Sequence, residues 1–427
     1  MGGTEVYTHG LATRARRAGH SVTVITHAES ASLNRNDYQV VPTEYEGIPV
    51  REIHHNLSRA ENPARAEYEN SEVAAMVRDE LCVTMPDIVH AMHAMKLSGA
   101  ALQACYDLGI PVVLTLVDYW MICPRHILVR SNNQLCNGPA HDLDCLECLN
   151  DTHGFASGRL RKLPAAMLRR GASFGSQLSN SRFWRDVAAI RKREAYLRQI
   201  VERAVRVMAL SQFQKDIFVR NGYPAARIEV LHHGLETEGL HAPSFLPAED
   251  FEVVFIGSLV AHKGPHILVK ALAQRPDARV RLLIYGSATG SNPYLDSLKQ
   301  LAARDKRVKL MGTFDRRDIG RVLQSAHALA MPALWYENEP LVVKAAQFIG
   351  LPVLASDIGT LATSIKPGVN GKLIPPGDVE AWAEALSSID LSKVPPDRSI
   401  KSMDQNAVEI FAIYGQVLAQ QCSAQTT

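Results

Sequence analysis

The sequence lacks any long hydrophobic run. None of its 427 residues lies in a stretch approaching the ~18 apolar residues of a transmembrane helix, and no segment resembles a signal-peptide core. An excess of charge of one sign is also missing, because 46 basic side chains face 44 acidic ones, for a formal charge of +2. These absences disfavour a membrane-spanning protein and a dedicated nucleic-acid-binding protein. We therefore expect a cytoplasmic protein without a nucleic-acid partner.

The composition is that of a folded globular protein. Hydrophobic residues make up 46% of the chain and charged residues 21%. This is enough apolar surface to offset the entropy lost on ordering, which excludes disorder of the whole chain. At roughly 100–200 residues per domain, the length predicts two or three domains.

Short β-branched runs alternate with helical periodicity along the chain, and this alternation is typical of parallel, doubly wound sheets. In the first half it predicts strands at 20–27, 87–91, 111–116, 205–210 and 227–234, with helices at 4–18, at 97–108 and from 211. In the second half it predicts strands at 252–259, 279–286, 308–312, 328–334 and 352–357, with helices at 264–274, 341–349 and 378–387. The fold class is therefore α/β, with two Rossmann-like domains facing a cleft.

A stretch without a clear period, 235–251, contains two prolines and is the best candidate for a linker. It separates a predicted N-terminal domain, 1–240, from a C-terminal domain, 241–398. Residues 399–427 are expected to form a helix that crosses back to the N-terminal domain, followed by a tail.

The first domain opens with glycines and a helix, whereas doubly wound domains usually open with a strand. We therefore expect that its first strand is missing, or else that the start of the chain is misassigned.

Charged residues stand beside a predicted helix start in YENEPLVVKAAQ, 336–347. Glu337 precedes Pro340, which suits the first turn of a helix. The amides of Leu341 and Val342 would then form a site for phosphate. The alternative is an ordinary acidic first turn that the helix dipole stabilises.

Glycine turns follow two of the predicted strands. FIGSLVAHKG carries Gly257 and Ser258 and ends near Lys263, which could neutralise a diphosphate as a point charge. IYGS supplies Gly286 after the next strand. The alternative is a solvated lysine. Ligands of doubly wound sheets bind beyond the carboxyl ends of the strands, where these turns lie.

The order of the motifs resembles that of the retaining nucleotide-sugar glycosyltransferases of family 4. The motifs are GGTEVYTHGLA, DIVHAMH, FIGSLVAHKG, LLIYGS, ENEPLVVKAAQ, SDIGTLA and GVNGKLIPPGD. The resemblance covers nearly the whole chain and implies the GT-B fold. It implies transfer of a sugar from a nucleotide diphosphate sugar, with UDP-sugars favoured, to an acceptor hydroxyl with retention. The nucleotide would bind the C-terminal domain and the acceptor the N-terminal domain. No metal or other cofactor would be needed for catalysis.

The resemblance also implies roles for individual residues. Glu337 matches the first glutamate of the family's paired-glutamate motif, Lys263 matches the diphosphate lysine, and His93 would face the sugar; these three are the predicted catalytic residues. The predicted donor-binding residues are Gly2, Gly3, His90, Gly257, Ser258, Gly286, Pro340, Leu341, Val342 and Ala345.

Several positions depart from the family pattern. Ala345 stands where relatives have a second glutamate, which grips the ribose, and Ser258 stands where an arginine is usual. Met92 and Val117 replace histidines. Loss of the ribose carboxylate is expected to weaken donor binding roughly tenfold to several hundredfold. The alternatives are therefore a catalytically impaired relative that binds sugar or lipid, or a nucleotide-sugar epimerase on the same fold.

Four of the seven cysteines lie close together in a predicted Cys-rich loop, 123–148. Cys123, Cys136, Cys145 and Cys148 are spaced by 13, 9 and 3 residues, and the last two form a CxxC knuckle. Four thiolates suit a structural zinc site, which would pin a loop near the acceptor face. Reduced free thiols and an iron–sulfur or redox centre are the alternatives.

A basic segment, 159–198, contains eleven basic and two acidic residues interleaved with apolar side chains. This pattern is typical of an amphipathic surface that binds anionic lipid, although a solvated helical face would carry the same residues. Binding there would place the protein at the inner face of the cytoplasmic membrane. It would also favour a sugar or lipid-linked acceptor, in the synthesis of a cell-surface polysaccharide or glycolipid.

Overall fold

The computed structural model describes residues 2–29, 38–139, 145, 148–149, 182–243, 250–288, 292–388 and 394–425. The chain divides into two compact units. The N-terminal unit comprises Thr8–Leu210, Lys215–Leu231 and Ala407–Thr427, and the C-terminal unit comprises Met1–Tyr7, Ser211–Gln214 and His232–Asn406. The domain boundaries predicted at 240 and 398 stay predictions.

The first 231 residues contain short strands and helices in alternation. The strands are β1 (Val24–Glu29), β2 (Gln39–Tyr45), β3 (Ile48–His55), β4 (Val89–Ala91), β5 (Val112–Leu116), β6 (Arg206–Ala209) and β7 (Ile228–Val230). The helices are α1 (Gly3–Arg17), α2 (Pro63–Ala66), α3 (Ser71–Thr84), α4 (Gly99–Asp107), α5 (Arg182–Arg203) and α6 (Gln212–Arg220). Each strand and helix predicted in this part has a counterpart in the structure.

Two separate sheets make up the N-terminal unit. Strands β4 to β7 form a parallel sheet in sequence order, and β1 to β3 form a second sheet in the order β1-β3-β2. Strand β2 pairs antiparallel with β3 across a turn at Glu46 and Gly47, both with positive φ, as a tight hairpin requires. This hairpin was not predicted. In the described part of the chain β1 and β4 are both edge strands, and the missing first strand stays a prediction.

The rest of the chain repeats the alternation with more regular elements. The strands are β8 (Phe251–Ile256), β9 (Val280–Tyr285), β10 (Val308–Gly312), β11 (Ala328–Met331), β12 (Val353–Ser356) and β13 (Gly371–Ile374). The helices are α7 (Pro265–Ala273), α8 (Pro293–Ala302), α9 (Ile319–Gln324), α10 (Leu341–Ile349), α11 (Gly359–Ser364), α12 (Val379–Ser387) and α13 (Met403–Gln425).

One parallel sheet, in the order β10-β9-β8-β11-β12-β13, forms the centre of the C-terminal unit. Its central strands are rich in Val, Ile, Leu and Ala and are mostly buried, against helices such as α7 and α12. The order reverses direction between β8 and β11. Such a reversal opens a crevice at the carboxyl ends of the two strands, and ligands of doubly wound sheets bind there.

Three further predictions concern membrane spans, the basic segment and the linker. In the part of the chain that the structure covers, no helix has both the length and the apolar character needed to cross a bilayer. Of the basic segment, residues 159–181 lie outside the described residues, and the remainder belongs to α5. The predicted linker is described except for residues 244–249.

Candidate functional site

The two charged residues among the predicted site residues lie where the strand order of the C-terminal sheet reverses. Lys263 lies in the turn between β8 and α7, and Glu337 lies in the segment between β11 and α10. The Lys263 Nζ donates to Glu337 Oε1 at 2.6 Å, and the Trp335 Nε1 donates to the same oxygen at 2.8 Å. The ammonium also lies 4.7 Å from the centre of the Trp335 ring. Glu337 is 4% exposed, so Lys263 and Trp335 offset its desolvation.

Glycines allow two strand ends to approach each other beside this pair. The Gly257 amide donates to the Tyr285 carbonyl at 3.1 Å, which ties the turn after β8 to the end of β9. A Cβ at Gly286 would lie 1.8 Å from the Gly257 carbonyl oxygen, and Gly286 has a φ of +148°. Only glycine fits there. The structure thus brings together three predicted residues: Gly257, Ser258 and Gly286.

The N-terminus of α10 follows Glu337 directly. Pro340 is its N-cap, and the first amides of any helix, here those of Leu341 and Val342, have no acceptor within the helix. They carry partial positive charge and attract anions. Gly3 lies beside this helix start, since a Cβ there would be 3.9 Å from a methyl group of Leu341. Gly2 precedes it in the chain.

A second lysine–glutamate pair lies at the same helix and was not predicted. The Lys344 Nζ donates to Glu339 Oε1 at 3.0 Å and to the His233 carbonyl oxygen. Glu339 Oε1 also lies 2.7 Å from His232 Nδ1, and its Oε2 accepts the His233 amide at 2.7 Å. Burial alone would raise the pKa of Glu339, but these bonds and charges hold it below its ordinary value.

Two aromatic rings close this cluster. Tyr7 stacks on His233 with the ring centres 3.6 Å apart, and its hydroxyl donates to Asn406 Oδ1 at 2.6 Å. Burial lowers the pKa of His233 to about 4, so its ring is neutral at physiological pH. Ala345, next to Lys344, is 1% exposed and presents only a methyl group.

The two predicted histidines belong to the N-terminal unit and are described separately. His90, on β4, has one ring nitrogen 2.8 Å from Thr115 Oγ1 and the other 2.6 Å from the Tyr414 hydroxyl on α13. These contacts tie β4 to β5 and to the C-terminal helix.

His93 has a carboxylate partner that was not predicted. The Met95 amide donates to His93 Nδ1 at 2.9 Å, so the ring proton lies on Nε2, which donates to Asp118 Oδ2 at 2.5 Å. Burial would raise the pKa of Asp118, but His93 and the Trp120 amide lower it below its ordinary value. His93 and Asp118 line a cavity of about 10 Å³. The signal for Asp118 is its place directly after β5, the strand beside β4.

The four predicted metal ligands come together around another cavity of the N-terminal unit. Cys123, Cys136, Cys145 and Cys148 all line a space of about 30 Å³. Within the residues that the structure describes, no three histidine, cysteine or carboxylate side chains are arranged as ligands of one metal ion. The thiols are therefore neighbours without being in ligand geometry.

Several basic residues of the predicted basic segment have acidic partners, one of them inside the protein. Arg193 is 4% exposed and donates to Glu67 Oε2 at 2.8 Å. Arg198 pairs with Glu194 on the next turn of α5, and Arg185 lies 3.7 Å from Glu61. The described part of the segment is thus less positive at the surface than its sequence suggests.

Family models match both parts of the chain. The Glycosyl transferase 4-like domain matches residues 2–234, and Glycosyl transferases group 1 matches residues 237–407. The chain belongs to the group 1, family 4-like glycosyltransferases. The D-inositol 3-phosphate glycosyltransferase of Mycobacterium sp. (strain KMS) is 31% identical over 230 residues, 51% of this chain and 50% of that one. That of Corynebacterium glutamicum (strain R) is 29% identical over 195 residues, 44% and 46% of the two chains. The glycosyltransferase chain thus spans about half the length of these relatives.

Solved structures confirm the GT-B fold of this glycosyltransferase. Sucrose-phosphate synthase from Thermosynechococcus elongatus superposes with a TM-score of 0.62 at 17% identity, covering 98% of this chain and 94% of that one. Anabaena HepE in complex with UDP and glucose superposes with a TM-score of 0.58 at 20% identity, covering 100% and 96%. The family and the two-domain Rossmann-like fold expected from the motifs are therefore confirmed.

Proposed function

We propose that this protein transfers a sugar from a UDP-sugar to an acceptor hydroxyl with retention at the anomeric carbon. The observation that carries the proposal is the convergence of Lys263, Glu337 and the N-terminus of α10 at the reversal point of the C-terminal sheet. A cation and free helix amides suit a diphosphate, and a neighbouring carboxylate suits sugar hydroxyls.

The main electrostatic task is to stabilise the departing diphosphate. As the bond between the anomeric carbon and the phosphate oxygen breaks, negative charge grows on that oxygen. The Lys263 ammonium and the amides of Leu341 and Val342 are placed to stabilise that charge. Glu337 then exchanges part of its bond with Lys263 for hydrogen bonds from hydroxyls of the donor sugar.

Retention follows if the acceptor attacks the face that the diphosphate leaves. The acceptor oxygen forms the new bond to the anomeric carbon, and its proton passes to the departing phosphate oxygen. His93 is an unsuitable base, because its Nδ1 accepts the Met95 amide and its Nε2 donates to Asp118. We assign His93 to positioning in the N-terminal unit, in place of the direct role expected from the sequence.

The choice of UDP rests on the relatives. HepE has been solved in complex with UDP and with UDP-glucose, on the same fold. The mycobacterial relatives are D-inositol 3-phosphate glycosyltransferases, which points to a phosphorylated polyol as acceptor. A lipid-linked acceptor, a peripheral place at the cytoplasmic membrane and a role in surface polysaccharide synthesis extend the proposal, and the support for them is the basic segment alone.

A non-catalytic, sugar-binding relative is the second candidate. The observation that favours it is Ala345, whose buried methyl group offers no hydrogen bond to a ribose. The second candidate binds sugar or lipid without turnover, so it does not require nucleotide binding.

Calorimetric titration with UDP, GDP and ADP, followed by turnover of UDP-glucose with inositol phosphates, tests the proposal. We expect UDP to bind most tightly and Glu337→Gln to abolish turnover while the protein stays folded. Glu384→Gln, an exposed change on α12, is the matched control. Binding of UDP without turnover for any acceptor, or binding of no nucleotide by the folded chain, would contradict the transferase proposal and favour the second candidate.

A further inference from the structure

The cysteines of the 123–148 loop meet in a way that the transferase function does not use. Four of the seven cysteines of the chain line one cavity of about 30 Å³, although up to thirteen residues separate consecutive members. Such a space holds one particle of about the size of a water molecule, for which ~10–15 Å³ suffices. We propose that these four thiols bind one zinc ion as a closed tetrathiolate site that fixes the loop. The ligands are Cys123, Cys136, Cys145 and Cys148.

Local backbone structure presents the first two ligands. The His126 amide donates to the Cys123 carbonyl at 2.8 Å, and the amides of Arg125 and Leu128 are directed at the Cys123 sulfur. Amides that point at a sulfur stabilise its thiolate form. The turn at Cys123 therefore presents two amide donors to the sulfur.

A short hairpin places Cys136 beside that turn. The Arg130 amide donates to the Gln134 carbonyl and the Cys136 amide to the Leu128 carbonyl, each at 2.8 Å. Between them Val129 and Leu135 form an antiparallel bridge. The hairpin therefore returns the chain to the level of Leu128, within reach of the Cys123 turn.

Positive charge surrounds the second pair of ligands. The Arg125 Nη1 lies 3.5 Å from the Cys148 sulfur while donating to the Val129 carbonyl at 2.8 Å. The buried Arg193 acts electrostatically on both Cys123 and Cys145. A zinc ion with four thiolates carries a net charge of −2, and guanidinium groups at this distance offset it.

Protons must leave when the ion binds. Each of the four S–H bonds gives its proton to water as a Zn–S bond forms. Within the described residues no three of these side chains are in metal geometry. Zn–S bonds of about 2.3 Å would draw the sulfurs inward to roughly 3.8 Å from one another.

The test uses the full chain, purified anaerobically with reductant. Metal analysis after growth with zinc should give about one zinc per chain, and replacement by Co²⁺ should give the intense visible absorption of a tetrahedral thiolate site. Cys145→Ser/Cys148→Ser should lose that zinc. The matched control is Cys82→Ser/Cys422→Ser, which removes two exposed thiols elsewhere and should keep it.

Three outcomes would overturn the proposal. They are a reduced chain that binds neither zinc nor cobalt, zinc retained in full by Cys145→Ser/Cys148→Ser, and an iron–sulfur spectrum or a Cys145–Cys148 disulfide in the native protein. The cobalt spectrum needs no variant, so misfolding of a serine variant cannot hide the answer. The zinc proposal does not require UDP binding, so none of these outcomes tests the proposed transferase function.

Discussion

Two lysine–glutamate pairs lie within a few residues of each other in the C-terminal unit, yet their surroundings differ. Glu337 accepts from Lys263 and Trp335, and Lys263 keeps 21% of its side-chain surface exposed. Glu339 is bound by Lys344, His232 and the His233 amide, and Lys344 is only 11% exposed. The first pair can exchange partners with a ligand, whereas the bonds of the second are already made within the protein. We therefore expect the pair of Lys263 and Glu337 to serve binding and the pair of Lys344 and Glu339 to serve folding.

The largest effect should come from breaking the buried pair of Lys344 and Glu339. Lys344→Met leaves Glu339 buried without its main cation, and loss of one partner of a buried pair costs about 3–5 kcal/mol. Urea denaturation should show that loss in the free energy of unfolding. The double variant Glu339→Gln/Lys344→Met should recover much of it, because no buried charge remains. A loss below about 1 kcal/mol in Lys344→Met would show that the pair is not structural.

The next effect is a pH dependence of the same cluster. The pKa of His233 is about 4 in the folded state against an ordinary 6.5, so the unfolded chain binds the proton first. Stability should therefore be full above about pH 6.5 and fall by roughly 3 kcal/mol towards pH 4.

Denaturation across that range, compared with His233→Phe, isolates the contribution. The phenyl ring keeps the stack on Tyr7 and cannot titrate. His266, with its pKa also lowered to about 4 by burial, is unchanged in both proteins. An equal fall in the free energy of unfolding between pH 6.5 and pH 4 in both proteins would show that His233 is not responsible.

Breaking the pair of Lys263 and Glu337 should weaken UDP binding and, because Glu337 is buried, should also lower stability. Lys263→Met removes the cation proposed for the diphosphate, and a charge-assisted bond of about 1.5–3 kcal/mol corresponds to roughly 10–150-fold weaker UDP binding. Calorimetry measures it, with Lys270→Met, an exposed change on α7, as control. Unchanged affinity would move the diphosphate site elsewhere.

The smallest effect tests the aromatic support of that pair. Trp335→Phe removes the N–H donor to Glu337 and weakens the cation–π contact with Lys263. A loss of about 0.5–1 kcal/mol predicts two- to sixfold weaker UDP binding. An effect as large as that of Lys263→Met would mean that Trp335 itself contacts the nucleotide.

The C-terminal unit is the part whose fold and site the sequence predicts best. Its central parallel strands are largely apolar, glycines follow β8 and β9, and residues that follow such strands meet at one edge. Hence the amino-acid sequence alone is enough to place Lys263 and Glu337 in one site. It is not enough for Lys344 and Glu339, because their other partners, His232 and His233, lie over a hundred residues away.

The N-terminal unit is harder, for physical reasons. The hairpin of β2 and β3 has a Glu-Gly turn, but β2 is exposed along most of its length and lacks the alternation that reveals a strand. The partner of His93 could have been found, because Asp118 lies two residues after β5, the strand beside β4. The proximity of the four cysteines depends on loop geometry that spacing alone does not determine.

The edges of β1 and β4 have a consequence for handling the protein. In the described residues each strand has a neighbour on one side only, which leaves a row of backbone donors and acceptors on the other. Unpaired edges accept strands from other molecules. We expect the N-terminal unit to drive self-association as concentration rises, measurable by light scattering, and substitution of Val24 or Thr26 by lysine to reduce it. Self-association of the protein would then depend on the backbone donors and acceptors at these two strand edges and not on its near-neutral charge.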